Sequence, residues 1–203
     1  MNRVLRLIFA ILLMFGQNIA HAEGSIEAGK QKSILCAACH GADGNSVNPA
    51  WPRLAGQNKR YLVEQLEDFK EGNRQDALMT PQAMMLSDQD MEDLAAFYQA
   101  QEAEHGEADL ALVPLGEQIY RAGVVGDAII PACYACHGPN GHGVAPAGYP
   151  ALGGQHASYL EAQLRAFRSG ERRTDPDQQM RNVAARLSDE EIIAVASYLQ
   201  GLH

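Results

Sequence analysis

Cys36-Ala37-Ala38-Cys39-His40-Gly41 recurs 97 positions later as Cys133-Tyr134-Ala135-Cys136-His137-Gly138, and the reading of these two hexads decides the fold. Two cysteines separated by two residues lie on one helical turn, where their thiols can reach both vinyl groups of a porphyrin and form thioethers. The adjacent histidine projects its imidazole toward the iron from the same short segment. Cys-x-x-Cys-His therefore reads as c-type haem attachment. Zinc sites and redox disulfides also use Cys-x-x-Cys, but a zinc knuckle wants its second pair roughly 15–20 residues away. A thioredoxin-like pair has no use for the following histidine, least of all twice. The spacing predicts two covalently bound haem c groups, on Cys36 and Cys39 and on Cys133 and Cys136.

The repetition extends outward from the hexads. Pro52-Arg-Leu54-Ala-Gly56-Gln57 recurs as Pro150-Ala-Leu152-Gly-Gly154-Gln155, at an offset of 98. Tyr61-Leu62, Gln65-Leu66, Phe69, Gly72 and Arg74 recur at the same offset as Tyr159-Leu160, Gln163-Leu164, Phe167, Gly170 and Arg172. Leu86-Ser87-Asp88 returns as Leu187-Ser188-Asp189 at an offset of 101. The chain is thus a tandem repeat of two small domains, with a period too long for a solenoid. They join in the acidic stretch around Gln101 to Pro114, which gives residues 23–108 and 109–203.

Each half reads as all-α. Ser87 and Ser188 are N-cap candidates, and Ser188 with Glu191 fits a capping box. Beyond them Met91, Leu94, Ala95 and Tyr98, and likewise Ile192, Val195, Ala196 and Leu199, fall at helical spacing. A helix from about Ser25 to Leu35, and its counterpart near Leu115 to Gly123, leads toward each cysteine motif. Domains this small need a staple, and a buried haem supplies that apolar mass.

The sixth iron ligand follows from counting. The C-terminal half contains one methionine, Met180, eight residues before Ser188; Met79 stands eight residues before Ser87. His40 with Met79, and His137 with Met180, are the expected iron ligands. Met91 reads as core; Met84 and Met85 read as loop or packing, with either kept as an alternative to Met79. His105, the one other histidine of the N-terminal half, lies beyond its last helix, which argues against a bis-histidine iron there; His142 and His156 read as surface or loop residues. A thioether favours ferrous iron and raises the potential relative to histidine, so both irons are expected to be six-coordinate and suited to moving electrons. Pro52 and Pro150 are placed to offer carbonyls to the Nδ1 of His40 and His137, with loop rigidity as the competing reading. Tyr61, Tyr159, Arg74 and Arg172 suit haem propionates, and packing or solvated surface explains them nearly as well.

The start of the chain reads as an export signal. Arg3 and Arg6 form a basic region, Leu7 to Phe15 an apolar one, and Ala20-His21-Ala22 a small-x-small cleavage site before Glu23. The apolar run is short against the roughly 20 residues of a spanning helix. Residues 1–22 carry two arginines and no acids, so removing them moves the formal charge from −9 to −11. A chain so acidic is a poor nucleic-acid binder and should prefer basic docking surfaces.

The two Cys-x-x-Cys-His domains, Pro-x-Leu-x-Gly-Gln-x-x-x-Tyr-Leu, a Met eight before the serine of Leu-Ser-Asp, and the terminal Leu-Gln-Gly-Leu-His together resemble the cytochrome c4 family. These are bacterial two-haem cytochromes c, and the resemblance covers essentially the whole chain beyond residue 22. It implies two tandem class I cytochrome c folds in pseudo-two-fold relation. It implies a periplasmic electron carrier, not an enzyme, that takes electrons from an upstream donor and delivers them to a membrane terminal oxidase, often with loose peripheral attachment to the membrane. Position by position it gives Cys36, Cys39, Cys133 and Cys136 as thioether sites, and His40, Met79, His137 and Met180 as iron ligands. The competing functions are the cytochrome subunit of a larger dehydrogenase and a two-haem peroxidase. The matched methionines argue against the peroxidase.

Overall fold

A computed structural model describes residues 23–125 and 129–203. The signal assigned to residues 1–22 lies outside them. The chain runs α1 (Ile26–Lys32), α2 (Ala37–His40), α3 (Lys59–Glu71), α4 (Met79–Met84) and α5 (Asp88–Gln99), and then repeats the series. The second set is α6 (Val113–Ala122), α7 (Tyr134–His137), α8 (Ala157–Ser169), α9 (Gln179–Ala184) and α10 (Asp189–Gln200). Among the described residues there is no strand, only two isolated bridges, Val124 with Ile130 and Val144 with Tyr149.

Local sequence explains the helix ends. The Ser25 hydroxyl accepts from the Ala28 N–H and caps α1, which stops at Lys32 and passes through a 3-10 turn, Ser33–Leu35, into the cysteine motif. α6 begins two residues earlier than its pattern suggests, because Pro114 suits the first turn, where its missing N–H costs nothing. The expected box of Ser188 and Glu191 is present on α10, and Ser87 with Asp90 forms the same box on α5.

Within each half the first and last helices cross, α1 on α5 and α6 on α10, and the middle long helix packs on the last. Met91, Leu94, Ala95 and Tyr98 are all buried, as are Ile192, Val195, Ala196 and Leu199, so the helical periodicity marks the core faces correctly. The crossings are close. At Gly29 an added Cβ would meet the Asp93 carbonyl oxygen at 2.0 Å, and at Gly116 the Ala194 carbonyl oxygen at 2.4 Å.

The connector between the halves is tied down at both ends. The Asn45 side chain donates to the Glu102 carbonyl and accepts from the Glu104 N–H. Further along, Gly106 N–H donates to the Gln200 carbonyl, the Gln200 amide to the Glu107 carbonyl, and Asp109 N–H to the Ser197 hydroxyl.

Candidate haem-iron centres

In each half the cysteine motif folds as one short helical turn. His40 N–H donates to the Cys36 carbonyl and His137 N–H to the Cys133 carbonyl, both at 2.9 Å. Gly41 and Gly138 then turn the chain away with φ of 82° and 79°, a conformation that side chains resist. Both imidazoles are buried. The expected proline contacts are present: His40 Nδ1 lies 2.8 Å from the Pro52 carbonyl oxygen, and His137 Nδ1 lies 3.0 Å from that of Pro150. A carbonyl only accepts, so Nδ1 carries the proton and Nε2 keeps its lone pair for a metal. Burial holds both imidazoles below the ordinary histidine range, against the opposing pull of the proline carbonyls.

None of the four cysteines is joined in a disulfide. Burial pushes Cys133 up to about 11 and also raises Cys36. A redox dithiol needs a thiol lowered toward the thiolate, and Cys36 and Cys133, the leading cysteine of each pair, are shifted the other way. Two thiols on one turn beside a histidine with a free Nε2 fit covalent attachment of an iron porphyrin.

The methionines separate by position. Met79 opens α4 and Met180 is the second residue of α9; both are half-buried. Met84 and Met85 are 65% and 68% exposed, and Met91 is wholly buried in the core. Each half anchors its methionine turn with an aspartate that sequence reasoning missed. Asp76 Oδ1 accepts from the N–H groups of Leu78 and Met79, at 2.8 and 2.9 Å. Asp175, its carboxylate buried, accepts from the N–H and the Nε of Arg181 at 2.9 and 2.7 Å. The signal for Asp76 was in the sequence, since an aspartate three residues before a helical residue is a capping pattern.

Arg74 and Arg172 reach across the seam between the halves, which no single-chain periodicity could show. Arg74 donates to Gln65 in its own half and to Tyr159 and Gln163 in the other, at 2.9, 3.0 and 2.9 Å. Arg172 mirrors it, donating to Gln163 in its own half and to Tyr61 and Gln65 across the seam, at 2.9, 2.9 and 2.6 Å. Each guanidinium also stacks on its own phenylalanine, Phe69 or Phe167, 4.6 Å from the ring centroid. The two cations share neutral amide and phenol oxygens. Cations withdrawn from water call for anionic partners, and a haem's propionates are of that kind.

His156, expected at the surface or in a loop, stands at the loop end that caps α8 and is buried. Its Nε2 lies 2.9 Å from the Ser46 carbonyl oxygen and 3.0 Å from the Ser46 hydroxyl, in the other half. The contact forms because His156 sits at the N-cap of α8, on the face that meets the Ser46–Arg53 loop. His142 is exposed, and the His105 ring, itself exposed, touches the Leu202 carbonyl.

The cytochrome c family profile matches residues 26–101 and 115–203. Cytochrome c4 of Pseudomonas aeruginosa is 48% identical over 98% of this chain and 99% of its own. A thiosulfate dehydrogenase electron acceptor of Stutzerimonas stutzeri is 42% identical over 82% of this chain and 78% of its own. The crystal structure of reduced recombinant cytochrome c4 from Pseudomonas stutzeri superposes with a TM-score of 0.86 at 48% identity, covering 89% of this chain and all of that one.

Proposed function

This chain belongs to the cytochrome c family, as a two-domain, two-haem electron carrier of the cytochrome c4 kind, and on that premise we propose that it works in the periplasm and passes single electrons to a respiratory terminal oxidase. The observation that carries the reading is the matched pair of buried histidines, each with Nδ1 fixed on a proline carbonyl. Residues 1–22 act as the export signal, and the working domains are 23–108 and 109–203. Cys36, Cys39, Cys133 and Cys136 form the thioether bonds. His40 with Met79, and His137 with Met180, hold the two irons.

Each haem, when bound, supplies an iron that cycles between ferric and ferrous. The chain does the rest. The proline carbonyls fix the imidazole planes, Asp76 and Asp175 hold the methionine turns, and burial keeps water from the histidines. Six-coordinate irons exchange electrons without binding small ligands, so no catalytic residue is assigned. Its meeting with the oxidase is peripheral, through docking surfaces; among the described residues no helix is long and apolar enough to cross a membrane.

A second reading is favoured by the similarity to thiosulfate dehydrogenase electron acceptors: this chain collects electrons as the acceptor partner of a dehydrogenase. One experiment separates the two. Purified holoprotein, pre-reduced, is mixed with membranes containing terminal oxidase, and its reoxidation is followed alongside oxygen uptake. Oxidised holoprotein is offered in parallel to a thiosulfate dehydrogenase. Rapid turnover with the oxidase supports the first reading. Failure there, with reduction only in a stable complex with the dehydrogenase, supports the second.

A further inference from the structure

Gln57 and Gln155 are equivalent in the repeat, both are 6% exposed, and both point across the seam. Gln155 Oε1 accepts from the Arg53 N–H, and its amide donates to the Arg53 carbonyl, each at 2.9 Å. Gln57 Oε1 accepts from the Ala151 N–H at 2.8 Å, and its amide donates to the Ala151 carbonyl at 2.9 Å. Each glutamine therefore grips both backbone polar groups of one residue in the opposite domain.

Those two residues follow the two prolines. The Arg53 N–H and the Pro52 C=O belong to one peptide group, as do the Ala151 N–H and the Pro150 C=O. The Pro52 oxygen holds His40 Nδ1 and the Pro150 oxygen holds His137 Nδ1. A continuous chain thus runs from His40 through one peptide plane to Gln155, and its mirror image from His137 to Gln57. Hydrogen bonds in series polarise one another. A peptide whose N–H is donating has a more negative carbonyl oxygen and is a stronger acceptor for the histidine.

We propose that Gln57 and Gln155 are positioning residues that tune the haem of the opposite domain, Gln57 acting on the C-terminal haem through Pro150 and His137, and Gln155 on the N-terminal haem through Pro52 and His40. The inference rests on the assignment of those histidines as iron ligands. A stronger acceptor at Nδ1 makes the ring a better donor to iron, favours the ferric state and lowers the potential. Domain contact thereby sets the potentials crosswise.

The test is a redox titration of holoprotein carrying Gln57→Met, Gln57→Glu or Gln155→Met, with waves assigned by Met79→His and Met180→His, each of which lowers its own wave. Gln57→Met removes the acceptor and should raise only the C-terminal wave. The expected change is about threefold in the ferric-to-ferrous ratio, or roughly 30 mV at 59 mV per decade. Gln155→Met should raise only the N-terminal wave. Gln57→Glu keeps an oxygen for the Ala151 N–H and should leave the C-terminal wave at or below its wild-type position. Unmoved waves, equal movement of both, or movement of the variant's own domain would each overturn the crosswise link. Proton NMR of the wild type keeps the two failures apart. If His40 and His137 are not ligands, their ring protons lack hyperfine shifts; if only the link is wrong, the shifts are present and insensitive to the glutamines.

Discussion

Gly116→Ala is expected to destabilise the C-terminal domain severely, although alanine is the better helix former. The new methyl carbon would stand 2.4 Å from the Ala194 carbonyl oxygen and 2.5 Å from the Tyr198 Cβ. Comfortable contacts lie near 3.5 Å, so α6 and α10 must separate by about 1 Å. Neither offending atom is the tip of a flexible side chain, so the helices themselves have to move. α10 contributes Ile192, Val195, Tyr198 and Leu199 to the buried core, and each loses contact as it shifts. Overpacking of this kind costs about 1–3 kcal/mol, and the rigid neighbours place this site at the upper end. In a domain of this size 1 kcal/mol moves the midpoint by roughly 4–8 °C, so the expected loss is about 10–20 °C. Thermal unfolding of the holoprotein, followed by far-ultraviolet circular dichroism, measures it. Gly72→Ala is the control: nothing lies within 4 Å of its Cβ position, and the cost is only that of a left-handed backbone, φ 80°, roughly 1–2 kcal/mol. A Gly116→Ala midpoint within about 3 °C of wild type would refute the close-crossing argument.

Met180→Ala should abolish the C-terminal thioether-to-iron absorption at the red end of the spectrum and let that iron bind carbon monoxide. Met79→Ala should do the same for the other iron, whereas Met84→Ala should change neither signal. The N-terminal haem should titrate at the lower potential, since residues 23–108 carry a net charge of −8 and residues 109–203 only −3, each charge at about 10 Å being worth on the order of 0.4 kcal/mol before salt screening. Met79→His displacing the higher-potential wave would show that order to be reversed. Asp90 is held down to about 2 by the side-chain and backbone bonds of Ser87, with help from Lys32. A lowered folded-state value means its contribution is present above the ordinary carboxylate range and disappears as pH falls toward about 2. Asp90→Asn should flatten the acid-unfolding curve in that window, and an unchanged slope would count against the assignment.

Much of this was legible from one chain because the haem motif is a local requirement. Cys36 to His40 must fit one helical turn, and the duplication supplied a second copy against which to check each position. The proline carbonyls, both terminal helix faces and the box on α10 were readable for the same reason. What the sequence hid lies at the seam. Arg74, Arg172, Gln57 and Gln155 stood out as repeated residues, yet their partners are between 85 and 111 positions away. Periodicity within a half carries no information about such pairs. His156 shows the limit most clearly, because a polar residue at a helix start looks solvated until another domain covers it. Asp175 was missed because two residues of left-handed backbone, Asp177 and Gln178, stand between it and the methionine helix, and these break the spacing that would announce a cap.

The tethered connector has a kinetic consequence. Electron tunnelling falls off exponentially with separation, so a pair of domains on a loose hinge would display a broad spread of internal transfer rates, dominated by brief close approaches. Here Asn45 pins the segment at Glu102 and Glu104, and Gln200 and Ser197 pin it again at Gly106, Glu107 and Asp109. With both anchorages made, the two halves keep one mutual distance on the timescale of a single hop. After a flash reduces one centre, equilibration with the other should follow a single exponential that solvent viscosity leaves unchanged.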